Sequence, residues 1–308
     1  MSQEAAPIAA VAPAAPAAPA APEAAPLEVD DGAASDTDSF YDSDGTNSTS
    51  SISSSILHYR EENGRTYHAY KDGKYVMPND EREQDRLDLQ HHLFLLTFDN
   101  KLYLSPAGRD GRRLRNVLDI GTGTGIWAVD FADEFPETSV IGVDLSPIQS
   151  PFVPPNLTFQ VDDVEEPWTY SVKFDFIYSR MMTAALADWP RFFQRAYDHL
   201  APGGWIELAD ICPLTSDDGT LTEDLSMTKW VNNLMEGCKA IGRPFDGALK
   251  YKEQLEAQGF QHVHQVVFKW PQNRWPRDKK HKELGTFCFR FPSTPETTLR
   301  VGRDKKRN

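Results

Sequence analysis

The sequence contains three cysteines, no long apolar run, and no Lys or Arg in its first 56 residues. Cys212, Cys238 and Cys288 are far apart and have no paired spacing, so neither a disulfide framework nor a metal site is indicated. Because no stretch of about 18 apolar residues occurs, we expect no membrane-spanning helix. The alanine-rich N-terminus is interrupted by proline and lacks a basic segment, unlike a secretory signal. We therefore expect an intracellular protein in a reducing compartment, the cytoplasm or the nucleus.

The charges divide the chain into three parts. The formal net charge is −14, of which residues 1–56 contribute −9 through nine acids. Residues 269–308 carry twelve basic and four acidic residues, a charge of +8, which leaves −13 for residues 57–268. Domains that bind nucleic acid through its phosphates present a basic face. We therefore expect no direct nucleic-acid binding by the body of the protein.

Composition and periodicity predict four segments. Residues 1–55 are rich in Ala and Pro and then in Asp and Ser, a composition that buries too little apolar surface to fold, so we expect a disordered tail. Residues 56–112 are predicted to form an N-terminal lid and helical extension, and residues 113–270 the main domain. Residues 271–308 are predicted to be a basic, poorly ordered tail.

The predicted extension combines a tyrosine-rich segment with one helix. Residues 65–77 are expected to form two short extended pieces or a lid-like loop, with a turn at Asp72-Gly73. A helix at about 80–98 is predicted because Asp80 and Glu83 fit a capping box and leucines recur on one face.

From residue 116 onward, short apolar runs alternate with helical stretches. Such alternation is typical of a parallel sheet covered on both faces, so we predict a doubly wound, Rossmann-like α/β fold. The predicted strands are at 117–120, 140–143, 157–161, 174–178 and 205–209, with helices at 126–135 and 189–200. Further helices are predicted at 221–241 and 248–258, the second ending at Gly259, and further strands at 262–270 and 286–291.

A glycine-rich turn between the first strand of that sheet and its helix indicates a ligand site. Glycines there permit a left-handed backbone and a close approach of the ligand, and the helix start offers N–H groups. The spacing is GxGxG from Gly121 to Gly125, and Ile126 stands where a dinucleotide fingerprint has Gly or Ala. Asp119 lies inside the strand, where its carboxylate disfavours a pyrophosphate and favours a ligand with an ammonium or sulfonium group.

Further acids follow the next two strands. Asp144 comes 23 residues after Gly121, in the position of an acid that binds ribose hydroxyls. After the third strand, Asp162 or Asp163, of which we favour Asp163, and the N–H of Val164 would suit an adenine edge. The predicted ligand is a nucleoside joined to an amino acid. The predicted cofactor-binding residues are Asp119, Gly121, Thr122, Gly123, Gly125, Asp144, Leu145, Asp162, Asp163 and Val164.

In these motifs the sequence resembles the class I S-adenosylmethionine-dependent methyltransferases. Residues 119–125 are similar to their first motif, Asp144 to their ribose acid and Asp163 to their adenine acid. Residues 200–204 are similar to the turn before their fifth strand, so the likeness covers about residues 115–210. The resemblance implies their Rossmann-like fold, S-adenosyl-L-methionine as cofactor, and methyl transfer as the reaction.

The flanks resemble a narrower group, the fungal methyltransferases similar to the velvet-complex regulator of secondary metabolism. Residues 62–70, 78–95, 159–168 and 187–190 carry this likeness. It implies an enzyme of fungal secondary metabolism with a small-molecule or protein acceptor. The alternative is a methyltransferase-like regulatory subunit of a nuclear complex that controls secondary-metabolite genes, with velvet-type protein partners. Basic clusters at 277–282 and 305–307 suit a nuclear protein or, equally, a solvated tail.

The catalytic residues have weaker signatures than the cofactor site. Methyl transfer from a sulfonium needs mainly alignment and exclusion of water, and a base only where the acceptor loses a proton. Packing or capping is an equal interpretation for the histidines and tyrosines of the extension, and packing is favoured for Trp127. The glycine turn could also be a tight turn with no ligand. Asp144 could also be a solvated residue at the end of its strand. The catalytic candidates by placement are His91, His92, Tyr67 and Arg180.

The C-terminal end departs from the family pattern. Past a stretch like residues 279–285, family members continue with a helical segment and a final apolar strand beside the fifth, whereas residues 286–308 show little apolar periodicity. We expect an atypical end with an incomplete sheet, arising from an alternative, truncated or misread gene product. Unpaired backbone groups at the open position are expected to lower stability.

Overall fold

A computed structural model describes residues 54–109 and 111–290 of the chain. The predicted disordered tail at 1–55 lies outside the described residues except for its last two positions. The basic cluster at 305–307 lies outside them as well. The boundaries proposed between the four segments remain predictions.

The N-terminal extension contains a hairpin and one long helix. After a 3₁₀ turn (Ser54–Leu57), the strands β1 (Arg60–Glu62) and β2 (Arg65–Tyr67) pair antiparallel, and helix α1 spans Glu81–Thr97. The hairpin reverses at Asn63 and Gly64, whose φ angles of 52° and 73° are those that a two-residue Asn-Gly turn requires. The predicted turn at Asp72-Gly73 lies further on, in the loop of residues 70–77 that we call the lid.

The start of α1 follows the predicted capping pattern in part. Asp80 accepts the backbone N–H of Glu83 at 3.0 Å, which fixes the first turn. The Glu83 side chain does not complete the capping box, because it pairs instead with Arg86 at 2.7 Å. The helix nevertheless begins and ends within one residue of the predicted limits.

Five parallel strands form the central sheet, which confirms the predicted fold class. They are β3 (Asn116–Ile120), β4 (Ser139–Asp144), β5 (Leu157–Val161), β6 (Phe174–Arg180) and β7 (Leu200–Ala209). Their order is β5-β4-β3-β6-β7, so the direction of winding reverses at β3. In open α/β sheets, ligands bind outside the carboxyl ends of the strands at this reversal.

Helices cover both faces of the sheet. The helices described after α1 are α2 (Ile126–Glu134), α3 (Trp189–His199), α4 (Ser226–Ala240), α5 (Tyr251–Gln258) and α6 (Lys279–Arg290), of which α2, α3 and α5 pack on the sheet. Helix α2 packs on the face that bears Val117 and Phe176, whereas α3 and α5 pack on the face that bears Leu118 and Ile177. Consecutive strand residues therefore enter opposite cores, as the pleat of a strand requires.

Helix α6 shows that the predicted strand at 286–291 is wrong up to Arg290. Leu284 and Cys288, one helical turn apart, are buried against Leu93 of α1. This tertiary contact outweighs the local preference of aromatic and β-branched residues for a strand. Residues 279–290 are thus a packed helix where we expected a poorly ordered tail.

The predicted strand at 262–270 is also wrong. None of the described residues pairs with this segment in a sheet, and Val266 and Val267 are exposed. A strand forms only where a neighbour takes up its backbone hydrogen bonds. Instead, the Trp270 indole donates to the Thr97 hydroxyl at 2.9 Å and so packs against α1. Within the described ranges, β7 is an edge of the sheet.

Two predicted helices are present but shorter. Helix α4 lacks the first five residues of the predicted range 221–241. A 3₁₀ turn (Gly247–Lys250) precedes α5 in place of its predicted first turn. Gly259 ends α5 with a φ of 104°, which confirms the predicted glycine cap.

Candidate cofactor site

Charged residues lie at the carboxyl ends of all five parallel strands. Asp119 is the penultimate residue of β3, and Asp144 and Arg180 end β4 and β6. Asp163 and Asp210 follow β5 and β7. Because the carboxyl ends of parallel strands meet at one edge, four aspartates and one arginine lie at the same edge of the sheet.

All three glycines of the turn after β3 have a left-handed backbone. The φ angles of Gly121, Gly123 and Gly125 are 67°, 59° and 83°. A Cβ atom on Gly121 would collide with the sulfur of Met182, and one on Gly123 would lie 3.3 Å from Leu87. The turn therefore has no room for a side chain at Gly121 and little at Gly123, and we call it the glycine cradle.

Backbone N–H groups of the turn are already used within the protein. The carbonyl of Val143 accepts from Gly121 at 2.9 Å and from Thr122 at 3.0 Å. The N–H of Gly123 donates to Asp144 Oδ2 at 2.9 Å. These donors are not available to a pyrophosphate, which supports the prediction that the turn does not bind a dinucleotide.

Asp119 is nearly fully buried beneath the turn, at 3% exposure. The Thr122 hydroxyl donates to its Oδ2 at 2.6 Å. Burial raises the pKa of the Asp119 carboxyl to about 6. The hydrogen bond from Thr122 and the positive charge of Arg180 lower this pKa but do not offset the burial. A bound ammonium or sulfonium group would favour the ionised carboxylate, so this residue fits the predicted ligand.

Asp144 joins the end of β4 to the turn. Its Oδ1 accepts the N–H of Ser146 at 2.9 Å, while its Oδ2 holds Gly123. Burial raises the pKa of this carboxyl, and the backbone donors, including the N–H of Leu145, oppose the rise. A carboxylate has about four acceptor positions, so capacity for ribose hydroxyls remains.

The two acids after β5 lie under the lid. Asp163 is 4% exposed, and the Lys74 ammonium lies 3.0 Å from its Oδ2, while its Oδ1 accepts the N–H of Glu165 at 2.9 Å. Asp162 accepts the N–H of Asp163 at 2.8 Å and the Tyr70 hydroxyl at 3.5 Å. The lid therefore contacts both candidate adenine acids.

Two of the catalytic candidates are joined in one network. His91 of α1 is buried, and its Nε2 lies 2.9 Å from Asp130 Oδ2. An Arg180 N–H donates to His91 Nδ1 at 3.2 Å, and the guanidinium also lies 5.0 Å from the centre of the Phe94 ring. Because Nδ1 is an acceptor, Nε2 carries the proton and donates to Asp130. Both ring nitrogens are thus engaged.

The other two candidates lie elsewhere. His92, the next residue of α1, is exposed, and its ring meets Phe287 of α6 edge-on at 5.1 Å. Tyr67 of β2 lies beneath the Arg60 guanidinium, 4.7 Å from its ring centre. Trp127 packs in the core as expected, stacked 4.0 Å from Tyr178.

Sequence reasoning missed two residues of the site. Asp210, directly after β7, accepts the N–H of Thr183 at 2.9 Å and the Tyr251 hydroxyl at 2.8 Å, and burial raises the pKa of its carboxyl. Tyr75 of the lid lies within electrostatic reach of Asp144 and Asp210, and burial raises the pKa of its phenol. The position of Asp210 behind a predicted strand was the signal that could have identified it.

The described residues hold no group of three or more His, Cys, Asp or Glu side chains that could bind a metal ion. None of the helices in the described ranges is long and apolar enough to cross a membrane.

A parallel sheet with a glycine cradle and acids at successive strand ends defines a nucleoside-binding α/β domain of the methyltransferase type. The chain belongs to the family described as "Methyltransferase domain", whose model matches residues 89–265. It is an S-adenosylmethionine-dependent methyltransferase, which confirms the predicted enzyme class and cofactor.

Named relatives come from fungi. The chain is 42% identical over 263 residues to "Methyltransferase pytC" of Aspergillus terreus, covering 84% of this chain and 78% of the relative. It is 39% identical over 240 residues to "Probable methyltransferase tdiE" of Emericella nidulans, covering 76% and 73%. It is 38% identical over 228 residues to "Secondary metabolism regulator LAE1" of Cochliobolus heterostrophus, covering 73% and 74%. The predicted resemblance to the regulator group is confirmed.

Proposed function

We propose that the protein transfers a methyl group from S-adenosyl-L-methionine to a small-molecule or protein acceptor in fungal secondary metabolism. The observation that carries this proposal is the position of Asp119 and Asp144 at the glycine turn, with Asp163 after β5 at the same edge of the sheet. The names of the relatives pytC and tdiE, both methyltransferases, support the reaction type.

Each acid has a role that follows from its chemistry. Asp119 binds the ammonium end of the cofactor, Asp144 accepts hydrogen bonds from the ribose hydroxyls, and Asp163 accepts one from the exocyclic amine of adenine. The N–H of Val164 donates to an adenine ring nitrogen. When bound, the cofactor supplies an electrophilic methyl group on a sulfonium. Proteins accelerate such a displacement mainly by alignment and exclusion of water.

The candidate base His91 has a positioning role in this account. Its Nε2–H donates to Asp130 and its Nδ1 accepts from Arg180, so no lone pair is free to receive a proton from an acceptor. Arg180, at the end of β6 and near Asp119, is held in one orientation by this contact.

A regulatory subunit is the second candidate function, because several relatives are named secondary metabolism regulators. In that case the cofactor-binding domain would serve assembly with velvet-type partner proteins in the nucleus. The two functions differ in whether a methyl group leaves the cofactor.

The test uses the purified full-length protein, cofactor labelled in its methyl group, and an extract of a fungal culture. We expect the label in an organic-soluble product or in protein, and no transfer by the Asp144→Ala variant. Binding of the cofactor without any transfer would favour the regulatory function. The absence of binding by folded wild-type protein would contradict both.

A further inference from the structure

Glu165 contacts the lid, the loop before α3 and the Arg243 side chain. It follows the adenine acid Asp163, and its own carboxylate is only 14% exposed. One oxygen, Oε1, accepts the backbone N–H of Ala187 at 2.8 Å. The other, Oε2, accepts from the Arg243 guanidinium at 2.9 Å and lies 3.4 Å from the Lys74 ammonium.

The contact with Lys74 belongs to the lid. The same ammonium lies 3.0 Å from Asp163 Oδ2, so it bridges Glu165 and the proposed adenine acid. A second lid pair, Lys71 with Glu166 at 3.0 Å, lies beside it but is exposed on both sides. Exposed pairs contribute little, whereas Lys74 pairs with the buried Asp163 carboxylate and the partly buried Glu165 carboxylate, where the charges are screened less by solvent.

The contact with Ala187 belongs to the loop of residues 181–187, which we call the acceptor-side loop, and Arg243 binds the same loop at the carbonyl of Ala185. It follows β6 and precedes α3, and Met181 and Ala184 in it have positive φ angles of 57° and 59°. Non-glycine residues keep such a backbone only where their surroundings impose it. Here Asp210 accepts from Thr183, Arg243 donates to the carbonyl of Ala185, and Glu165 accepts from Ala187.

This loop lies beside the glycine turn. The Met182 sulfur occupies the space directly against Gly121, so a shift of the loop changes the wall of the cofactor site at the end opposite the adenine acids. Burial opposes ionisation of the Glu165 carboxyl, but the Ala187 N–H and the Arg243 guanidinium outweigh it and hold its pKa below its ordinary value. Glu165 is therefore a charged link between the lid and the acceptor-side loop.

We propose that Glu165 is a positioning residue that couples the lid over the adenine end of the cofactor to the acceptor-side loop at the methyl end. Cofactor binding stabilises the lid in the arrangement that the structure shows, so that Lys74 stays between Asp163 and Glu165 and Glu165 in turn holds Ala187 and the start of α3. The acceptor-side loop therefore opens less often once the cofactor is bound. This inference rests on the cofactor roles proposed above.

Hydrogen exchange of the acceptor-side loop tests the coupling without a known acceptor. The amides of Thr183, Ala185 and Ala187 are all hydrogen-bonded, so their exchange reports on opening of the loop. In full-length wild type, saturating S-adenosyl-L-methionine should slow their exchange by at least about fivefold. The Lys74→Met variant should lose this slowing at saturating cofactor. Lys71→Met, on the same lid but in the exposed pair, should keep it.

Glu165→Gln tests the charged link itself. The amide oxygen can still accept from Ala187, but the charge that holds both Lys74 and Arg243 is gone. We expect the cofactor-induced slowing to fall to the level of Lys74→Met, and the double variant to show no further loss. A cofactor-dependent slowing that persists in Lys74→Met, or that disappears equally in Lys71→Met, would overturn the coupling. Failure of wild type to bind the cofactor would instead overturn the proposed function.

Discussion

Asp144 at the end of β4 accepts the backbone N–H of Gly123 at 2.9 Å, so the second strand of the domain holds the glycine turn that follows the first. The same carboxylate is the proposed ribose acceptor. The turn and the ribose site are therefore one unit, and a ligand that binds Asp144 also approaches the turn.

No other residue should fit at position 121, because the backbone there is left-handed and a side chain would collide with Met182. Gly121→Ala introduces a Cβ atom against the Met182 sulfur, whereas Gly219→Ala, at a similar φ of 71°, meets nothing within 4 Å. We expect Gly219→Ala to cost about 1 kcal/mol of unfolding free energy from backbone strain alone. Gly121→Ala should cost more and should also abolish cofactor binding. Denaturant unfolding and calorimetry check the two effects, and equal losses in both variants would refute the packing explanation.

Cofactor affinity should depend on pH through Asp119. The pKa of this carboxyl is raised to about 6 in the protein without ligand, so below that pH it must lose a proton before it pairs with a cation. The dissociation constant should therefore rise about tenfold for each pH unit below 6 and level off above it. Calorimetry at pH 5 and pH 7 measures this change. Asp119→Asn, which cannot ionise, should bind weakly at both values, and an equal affinity of wild type at both would refute the assignment.

The His91 network should support the fold and the orientation of Arg180 rather than transfer protons. His91→Ala leaves Arg180 and Asp130 without their buried partner, and we expect a loss of about 1–3 kcal/mol in unfolding free energy. His92→Ala, on the outer side of α1, is the matched control and should cost less than about 1 kcal/mol. A His91→Ala variant with an unchanged melting temperature and no methyl transfer would indicate a general base instead.

Much of the fold could be predicted from periodicity, because buried parallel strands are short apolar runs that end at turn-forming or charged residues. Four strands lie within two residues of their predicted limits for this reason, whereas β7 begins five residues before its predicted start because residues 200–204, predicted as a turn, belong to the strand. The segments at 262–270 and 286–290 could not be predicted, because their structure depends on neighbours. Leu284 and Cys288 become helical by packing on α1, and the segment before Trp270 has no described strand beside it.

The candidate site also has features that the sequence predicts and features that it does not. Acids at strand ends could be found from the sequence, since topology brings the carboxyl ends together. The pairing of Lys74 with Glu165 joins positions 91 residues apart, and that of His91 with Asp130 joins positions 39 apart. No local pattern marks such pairs, because each depends on how the extension lies against the sheet.

The most direct test of the cofactor site is a calorimetric titration of the full-length protein with S-adenosyl-L-methionine. The wild type should bind one equivalent, and Asp144→Ala should bind at least about tenfold more weakly, because hydrogen bonds to a charged acceptor are lost. Asp133→Ala, an exposed acid on α2, should match the wild type. Unchanged affinity in a folded Asp144→Ala protein, or no binding by folded wild type, would contradict the account.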